Sequence, residues 1–230
     1  MGQYFKSSIE TQSGKKLSLS ARFCSKMMEW GYLDNTSLML VAQYIKEITG
    51  NGEPVRYIHA GDYSELFPKA YDYPVDTNIS DVFDERLDAI NEEYRAAESS
   101  SVKYDALVEE QNTYYLYNHT KREMVCIESY RNASHNTEPT SPDGWAVHPL
   151  AILCCTEQGL GDGDYAYCFE GEQLEKGGRW VGDEISIADE LKIGFKDITF
   201  EMRLTLNTED YRELKDHVSL DELVLSYGKF

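Results

Sequence analysis

The sequence predicts an α+β fold, in which an antiparallel-rich sheet has a few helices packed on one side. Three observations support this class. Short apolar or alternating runs, separated by turn residues, recur along the chain and are typical of strands. Two longer segments, 36–49 and 81–99, space their apolar residues as one face of a helix does. A hairpin pattern surrounds residues 118–121 and indicates antiparallel neighbours.

The first third of the chain predicts three strands and one helix. Residues 3–9 form the first predicted strand and residues 15–19 the second. The helix is predicted over about 36–49, because its apolar positions have helical spacing and Gly50 follows as a stop signal. Residues 55–60 then predict a strand that leads into a turn.

The middle of the chain holds an acidic helix and the hairpin. Residues 81–99 carry an apolar stripe on one face and carboxylates on the other, which is typical of a solvated helix packed on a core. This helix belongs to the acidic stretch 72–110, which we interpret as an insertion on the sheet. The strands of the hairpin are predicted at 113–117 and 124–128.

The last third predicts further strands and a terminal helix. Residues 150–156 are apolar enough for a buried strand, and residues 164–169 predict another. Strict alternation over 197–206 predicts an amphipathic strand, and a capping box precedes a final helix of about 220–226. No linker divides the chain, so we expect a single domain over 1–230.

The net charge of −19 is unevenly distributed. Residues 1–60 hold seven Lys and Arg against five Asp and Glu. Residues 72–110 hold three against twelve, and residues 157–190 hold two against ten. A charge of this sign repels phosphate, so we expect no direct binding to nucleic acid or to an anionic membrane. It favours either a basic protein partner or simple solubility.

The cysteines and the hydropathy place the chain in the cytoplasm. The five cysteines are odd in number and include no Cys-x-x-Cys pair, which favours reduced thiols in a cytosolic protein. The longest apolar run, residues 150–155, is far shorter than a membrane span. We therefore predict cytoplasmic localisation.

Acidic turns are the most distinctive motif. Gly-Asp-Tyr occurs at 61–63 and again at 163–165, and a third Gly-Asp lies at 182–183. Glycine permits a tight turn, and aspartate can either hydrogen-bond that turn or bind a cation. The ligand or metal candidates are Asp62, Asp162, Asp164 and Asp183.

Four neighbours of these turns are candidates for lining a cleft or for packing the core: His59, Tyr63, Tyr165 and Trp180. His59 lies three residues before Asp62, but a strand histidine with local hydrogen bonds is the alternative. Trp180 would anchor the core or line a ligand cleft. The sequence contains no zinc-ligand spacing, no hydrolase Gly-x-Ser-x-Gly and no dinucleotide fingerprint. We therefore predict that the protein uses no cofactor, with a bound divalent cation as the alternative.

Several short segments resemble a family of uncharacterised bacteriophage and bacterial proteins. Members of that family begin Met-Gly-Gln-Tyr plus an aromatic residue and contain Gly-Asp-Tyr turns. The matching segments are Met1-Gly2-Gln3-Tyr4-Phe5, Lys26-Met27-Met28-Glu29-Trp30, residues 55–63, Pro149-Leu150, residues 159–165 and Trp180-Val181-Gly182-Asp183. The resemblance implies a phage or prophage setting and carries over no catalytic residue.

Three functional hypotheses follow. The first is a phage-derived factor in the host cytoplasm that engages and inhibits a basic host or defence protein, with nucleic-acid mimicry as one mode. The second is a small enzyme or ligand-binding protein that uses the Gly-Asp turns around a divalent cation. The third is a self-assembling or virion-associated protein, suggested by seventeen tyrosines. A homodimer is compatible with all three.

Overall fold

The computed structural model describes residues 4–18, 26, 36–63, 70, 72–74, 114–132, 148–156, 177–199, 201 and 202. The elements in chain order are β1 (Phe5–Glu10), β2 (Lys16–Ser18), α1 (Thr36–Thr49), β3 (Val55–Gly61), β4 (Tyr115–Asn118), β5 (Glu123–Cys126), α2 (Ile127–Asn132), α3 (Pro149–Cys154), β6 (Glu184–Ala188) and β7 (Lys196–Asp197). The elements predicted at 81–99, 164–169 and 220–226 lie outside these residues.

Among the described residues, seven strands form one sheet in the order β2-β1-β3-β6-β4-β5-β7. Neighbouring strands are antiparallel except for β5 and β7, which are parallel. The longest register runs from Phe5 opposite Gly61 to Glu10 opposite Arg56. This antiparallel-rich sheet with few helices confirms the predicted α+β class. None of the described helices is long and apolar enough to cross a membrane.

The main core lies between one face of the sheet and the helices. One buried cluster contains Leu38, Val41 and Ile45 of α1 and the alternate strand residues Val55 and Tyr57. The five α3 residues at 150–154 belong to the same cluster. The opposite face of β3 forms a smaller cluster of Ile58, Ala60 and Ala70. Alternation along β3 therefore separates a helix-covered face from a face that packs against Ala70, Tyr73 and Val181.

Helix α1 matches the predicted range of 36–49. Its last residue, Thr49, donates its hydroxyl to the carbonyl of Ile45 at 2.7 Å and lies near the backbone nitrogen of Ile187 at 3.4 Å. Gly52, at φ +91°, turns the chain towards β3. The end of α1 is thus tied to β6 in the middle of the sheet.

The prediction of a strand at 150–156 is wrong. Residues Pro149–Cys154 form α3, and the Nδ1 of His148 caps it by accepting from the Leu150 nitrogen at 3.1 Å. Proline at the first helical position favours this start, since its missing N–H has no partner to lose there. Only Cys155 adopts a strand-like contact, a single parallel bridge to His59.

The prediction of an amphipathic strand at 197–206 is also wrong for the residues of this range that the structure describes after Asp197. Strand β7 ends at Asp197, and residues 199, 201 and 202 are helical. The Met202 nitrogen donates to the Ile198 carbonyl at 2.9 Å, and both residues are buried. The two apolar side chains share a helical face because they are four residues apart. Residues 203–206 lie outside the described residues.

The predicted hairpin is confirmed with shorter strands. β4 and β5 pair from Tyr115 opposite Cys126 to Asn118 opposite Glu123, and residues 119–122 make the turn. Arg122 accommodates the turn at φ +58°. The second predicted strand stops early because Ile127 begins α2.

Candidate functional site

The first Gly-Asp turn closes one corner of the sheet. Asp62 follows β3 and its Oδ1 accepts from the Tyr4 nitrogen at 3.1 Å, while the Asp62 nitrogen donates to the Tyr4 carbonyl at 2.9 Å. Asp62 and Tyr63 are both exposed. This carboxylate holds the start of β1 against the end of β3, and it remains accessible to solvent.

The third Gly-Asp turn packs against the end of α3. The Gly178 nitrogen donates to the Ile152 carbonyl at 2.8 Å, and the Trp180 nitrogen donates to the Leu153 carbonyl at 2.7 Å. Gly178 has φ +68°, and a Cβ there would lie 2.9 Å from the Cys155 carbonyl oxygen. Only glycine fits this close approach, so the turn uses glycine for both conformation and space.

Asp183 links this turn to the β4–β5 hairpin. Its Oδ2 accepts from the Asn118 Nδ2 at 2.7 Å and pairs with the Lys121 ammonium. The Asn118 Oδ1 in turn accepts from the backbone nitrogen of Lys121 at 2.7 Å. The Asp183 carboxylate is nearly buried, and the Lys121 ammonium and the Asn118 amide offset the free-energy cost of removing its charge from water.

Glu123 accepts hydrogen bonds from Arg179 and Trp180, the other two polar side chains of this turn. Arg179 donates through Nε at 3.0 Å and through a second guanidinium nitrogen, and the Trp180 indole donates at 2.9 Å. Burial raises the pKa of Glu123, but the hydrogen bonds from Arg179 and Trp180 together outweigh it and hold the pKa below its ordinary value. Glu123 is therefore a charged structural acceptor.

Taken together, these contacts form a paired polar cluster, which consists of Asn118, Lys121, Glu123, Arg179, Trp180 and Asp183. Each carboxylate already contacts a cation and a neutral donor. Such pairing satisfies both carboxylates with partners from the protein itself, so both serve as internal hydrogen-bond acceptors. The described part of the chain contains no group of three or more His, Cys, Asp or Glu side chains arranged to hold a metal ion.

The structure does not bring Asp62 and Asp183 together. β6 pairs with β3 at Val55 and Arg56, and the same register places Asp183 opposite Tyr57, near the start of β3. Asp62 is about five residues farther along, or roughly 16 Å at the rise of an extended chain. Asp162, Asp164 and Tyr165, the remaining residues of the predicted site, lie outside the described residues.

His59 lies in the core. It is fully buried, its ring stacks on Phe5 at 5.3 Å, and its Nδ1 is 3.5 Å from the Ser7 hydroxyl. Burial lowers the pKa of His59 to about 3. The exposed Asp62 therefore does not share a cleft with this neutral imidazole.

Trp180 is also fully buried and belongs to the main hydrophobic cluster. Its indole N–H reaches Glu123, which gives the polar edge of the ring a partner inside the core. Of its two predicted roles, packing is the one that this position supports.

The sequence reasoning missed Asn118, Glu123 and Arg179. Asn118 and Glu123 flank an ordinary hairpin turn, and Arg179 lies 56 residues from its carboxylate partner. The one sequence feature that pointed to them was Trp180, which is next to Arg179, because the indole N–H of a buried tryptophan usually needs a hydrogen-bond acceptor.

Comparison of the chain with protein-family models, with curated proteins and with solved structures gave no significant match.

Proposed function

We propose that this chain is an acidic cytoplasmic binding protein, derived from a phage, that engages and inhibits a basic host or defence protein. One observation carries the proposal. The described residues hold twelve Lys and Arg against thirteen Asp and Glu, whereas the remaining residues hold ten against 28. Almost all of the net charge of −19 therefore belongs to segments outside the described sheet and helices.

Within the described residues, carboxylates are commonly matched by cations. Lys46 pairs with Asp189, and Lys196 pairs with Glu201 at 2.7 Å. Glu123 and Asp183 have their partners in the paired polar cluster. The described part thus pairs several of its carboxylates with its own cations, whereas residues 75–110 and 157–176 together hold 17 Asp and Glu against four Lys and Arg.

Uncompensated negative charge has a direct physical consequence. It accelerates the approach of a basic partner and repels nucleic acid and anionic lipid. Proteins that bind nucleic acid present basic grooves, and an acidic segment can occupy such a groove in place of phosphates. Inhibition by nucleic-acid mimicry is the mode that this charge distribution favours.

A capture experiment tests the proposal. The tagged chain is used as bait in bacterial lysate at about 50 mM and about 500 mM salt, because charge-driven association is strongly screened at the higher value. We expect basic proteins to be retained at low salt and released at high salt. Retention of no basic protein at low salt would contradict the proposal.

Two matched variants identify the charge that matters. The first converts six acidic residues to their amides: Asp81, Asp84, Glu85, Asp88, Glu92 and Glu93. The second exchanges Asp for Glu and Glu for Asp at the same positions, so it keeps the charge and changes the shape. Loss of capture in the first variant alone supports recognition by charge, and equal capture by both contradicts it.

A further inference from the structure

Two exposed tyrosines lie beside the first Gly-Asp turn. Tyr4 is 46% exposed and Tyr63 is 41% exposed, and they are two of the four exposed large hydrophobic side chains among the described residues. Tyrosine is enriched in protein interfaces, where its ring provides contact area and its hydroxyl stays hydrated. The position of these two rings next to a carboxylate therefore points to recognition.

The sheet register fixes Tyr4 and Asp62 side by side. Phe5 is opposite Gly61, so the preceding residue Tyr4 is opposite Asp62, and the two reciprocal hydrogen bonds maintain that pairing. Directly opposite residues in antiparallel strands have Cβ atoms about 5 Å apart on the same face. Tyr63 follows Asp62 directly in the chain. Asp62 thus has one exposed tyrosine opposite it at the end of the sheet and a second exposed tyrosine next to it in the chain.

The charge of Asp62 is not matched by a cation among the described residues. Its Oδ1 accepts the Tyr4 backbone N–H, and the residue is exposed to solvent. Asp183 and Glu123, by contrast, each contact a cation directly. The corner therefore offers what the paired polar cluster does not, namely an accessible negative charge held in a fixed position.

We propose that Tyr4, Asp62 and Tyr63 form a recognition site for an arginine side chain of a basic protein partner, and this inference rests on the proposed function. A guanidinium group stacks on aromatic rings and donates in a plane to a carboxylate, and it is more weakly hydrated than the ammonium of lysine. The site is partly prepared in advance, because the hydrogen bond from the Tyr4 backbone N–H holds the carboxylate before the ligand arrives.

Titration of the isotopically labelled full chain with a blocked Gly-Arg-Gly peptide, followed by NMR, tests the site. The same peptide with citrulline in place of arginine has nearly the same shape but no charge. We expect the arginine peptide to shift the amide signals of residues 4, 62 and 63 with a dissociation constant on the order of millimolar, and the citrulline peptide to shift them far less.

Variants separate recognition from turn formation. Asp62→Asn keeps an oxygen for the Tyr4 N–H and removes the charge, so we expect binding to weaken about two- to fivefold with the fold unchanged. Tyr63→Phe keeps the ring and should bind as the original chain does, whereas Tyr63→Leu should bind about two- to fivefold more weakly. Glu53→Gln removes an exposed carboxylate elsewhere and should leave the affinity unchanged.

The inference would be overturned by equal shifts with both peptides, or by an affinity that Asp62→Asn leaves unchanged. Arginine binding that spares residues 4, 62 and 63 would also overturn it, while leaving the proposed function intact. Binding at this corner together with failure to capture any basic protein would instead support the site and contradict the proposed function.

Discussion

Tyr4 and Asp62, 58 residues apart in the chain, are joined across the end of the sheet by two hydrogen bonds. The Tyr4 nitrogen donates to the Asp62 side chain at 3.1 Å, and the Asp62 nitrogen donates to the Tyr4 carbonyl at 2.9 Å. The aromatic start of β1 and the first Gly-Asp-Tyr turn are therefore parts of one corner. This relationship explains how an exposed carboxylate is held in place with no charged partner among the described residues.

Replacing Trp180 with alanine should destabilise the protein by about 3–5 kcal/mol, because a fully buried indole leaves a cavity and Glu123 loses a donor. Chemical denaturation followed by circular dichroism measures the change. Trp180→Phe retains much of the volume and should lose less. A denaturation midpoint that Trp180→Ala leaves unchanged would contradict the packing role.

Glu123 should contribute stability that depends on pH in a defined direction. Its pKa is lower in the folded protein than the ordinary value of 4.5, so its contribution is present above pH 4.5 and is lost as the pH falls below that value. Urea denaturation between pH 7 and pH 3 should show a larger loss for the original chain than for Glu123→Gln. Glu128→Gln, on the exposed face of α2, is the control and should keep the original slope. Identical pH profiles for the original chain and Glu123→Gln would rule out this role.

His59 should remain neutral well below the ordinary histidine range. Its folded pKa of about 3 lies below the unfolded value of 6.5, so the unfolded chain binds the proton first as the solution is acidified. Stability should therefore fall between pH 6.5 and pH 3, at up to about 1.4 kcal/mol per pH unit. NMR of the imidazole ring measures the titration directly, and a midpoint near 6.5 would contradict the burial of His59.

Gly178→Ala should cost more than Gly52→Ala. Both glycines have positive φ, at +68° and +91°, so alanine is strained at each by about 1–2 kcal/mol. A Cβ at 178 would also meet the Cys155 carbonyl at 2.9 Å, whereas nothing lies within 4 Å at 52. Thermal denaturation of the two variants compares them, and equal losses would mean that the close approach at Gly178 has no energetic weight.

Local sequence signals predicted the elements whose patterns are unambiguous. Apolar positions at helical spacing and a following glycine defined 36–49, and the hairpin turn between two apolar runs defined β4 and β5. The apolar run 150–156 was ambiguous, because a fully buried helix and a buried strand have the same composition. His148 and Pro149 carried the deciding helix-start signal.

The candidate site depended on contacts that a single sequence does not reveal. The Gly-Asp motif correctly pointed to tight turns at Asp62 and Asp183, but the roles of these residues differ because one is exposed and the other is paired with Lys121. That difference arises from tertiary neighbours 58 to 65 residues away. Periodicity reports which residues share a face and carries no information on such distant partners.

We propose that a basic protein partner recognises the acidic segments of this chain by charge. The most direct measurement is the dissociation constant of the purified basic protein captured at low salt, determined by calorimetry for the original chain, for the variant with six acidic residues of 81–93 converted to amides, and for the Asp–Glu exchange variant. We expect at least about tenfold weaker binding for the amide variant at about 50 mM salt, a smaller salt dependence, and little change for the exchange variant. Equal affinity of all three proteins for the partner would contradict it.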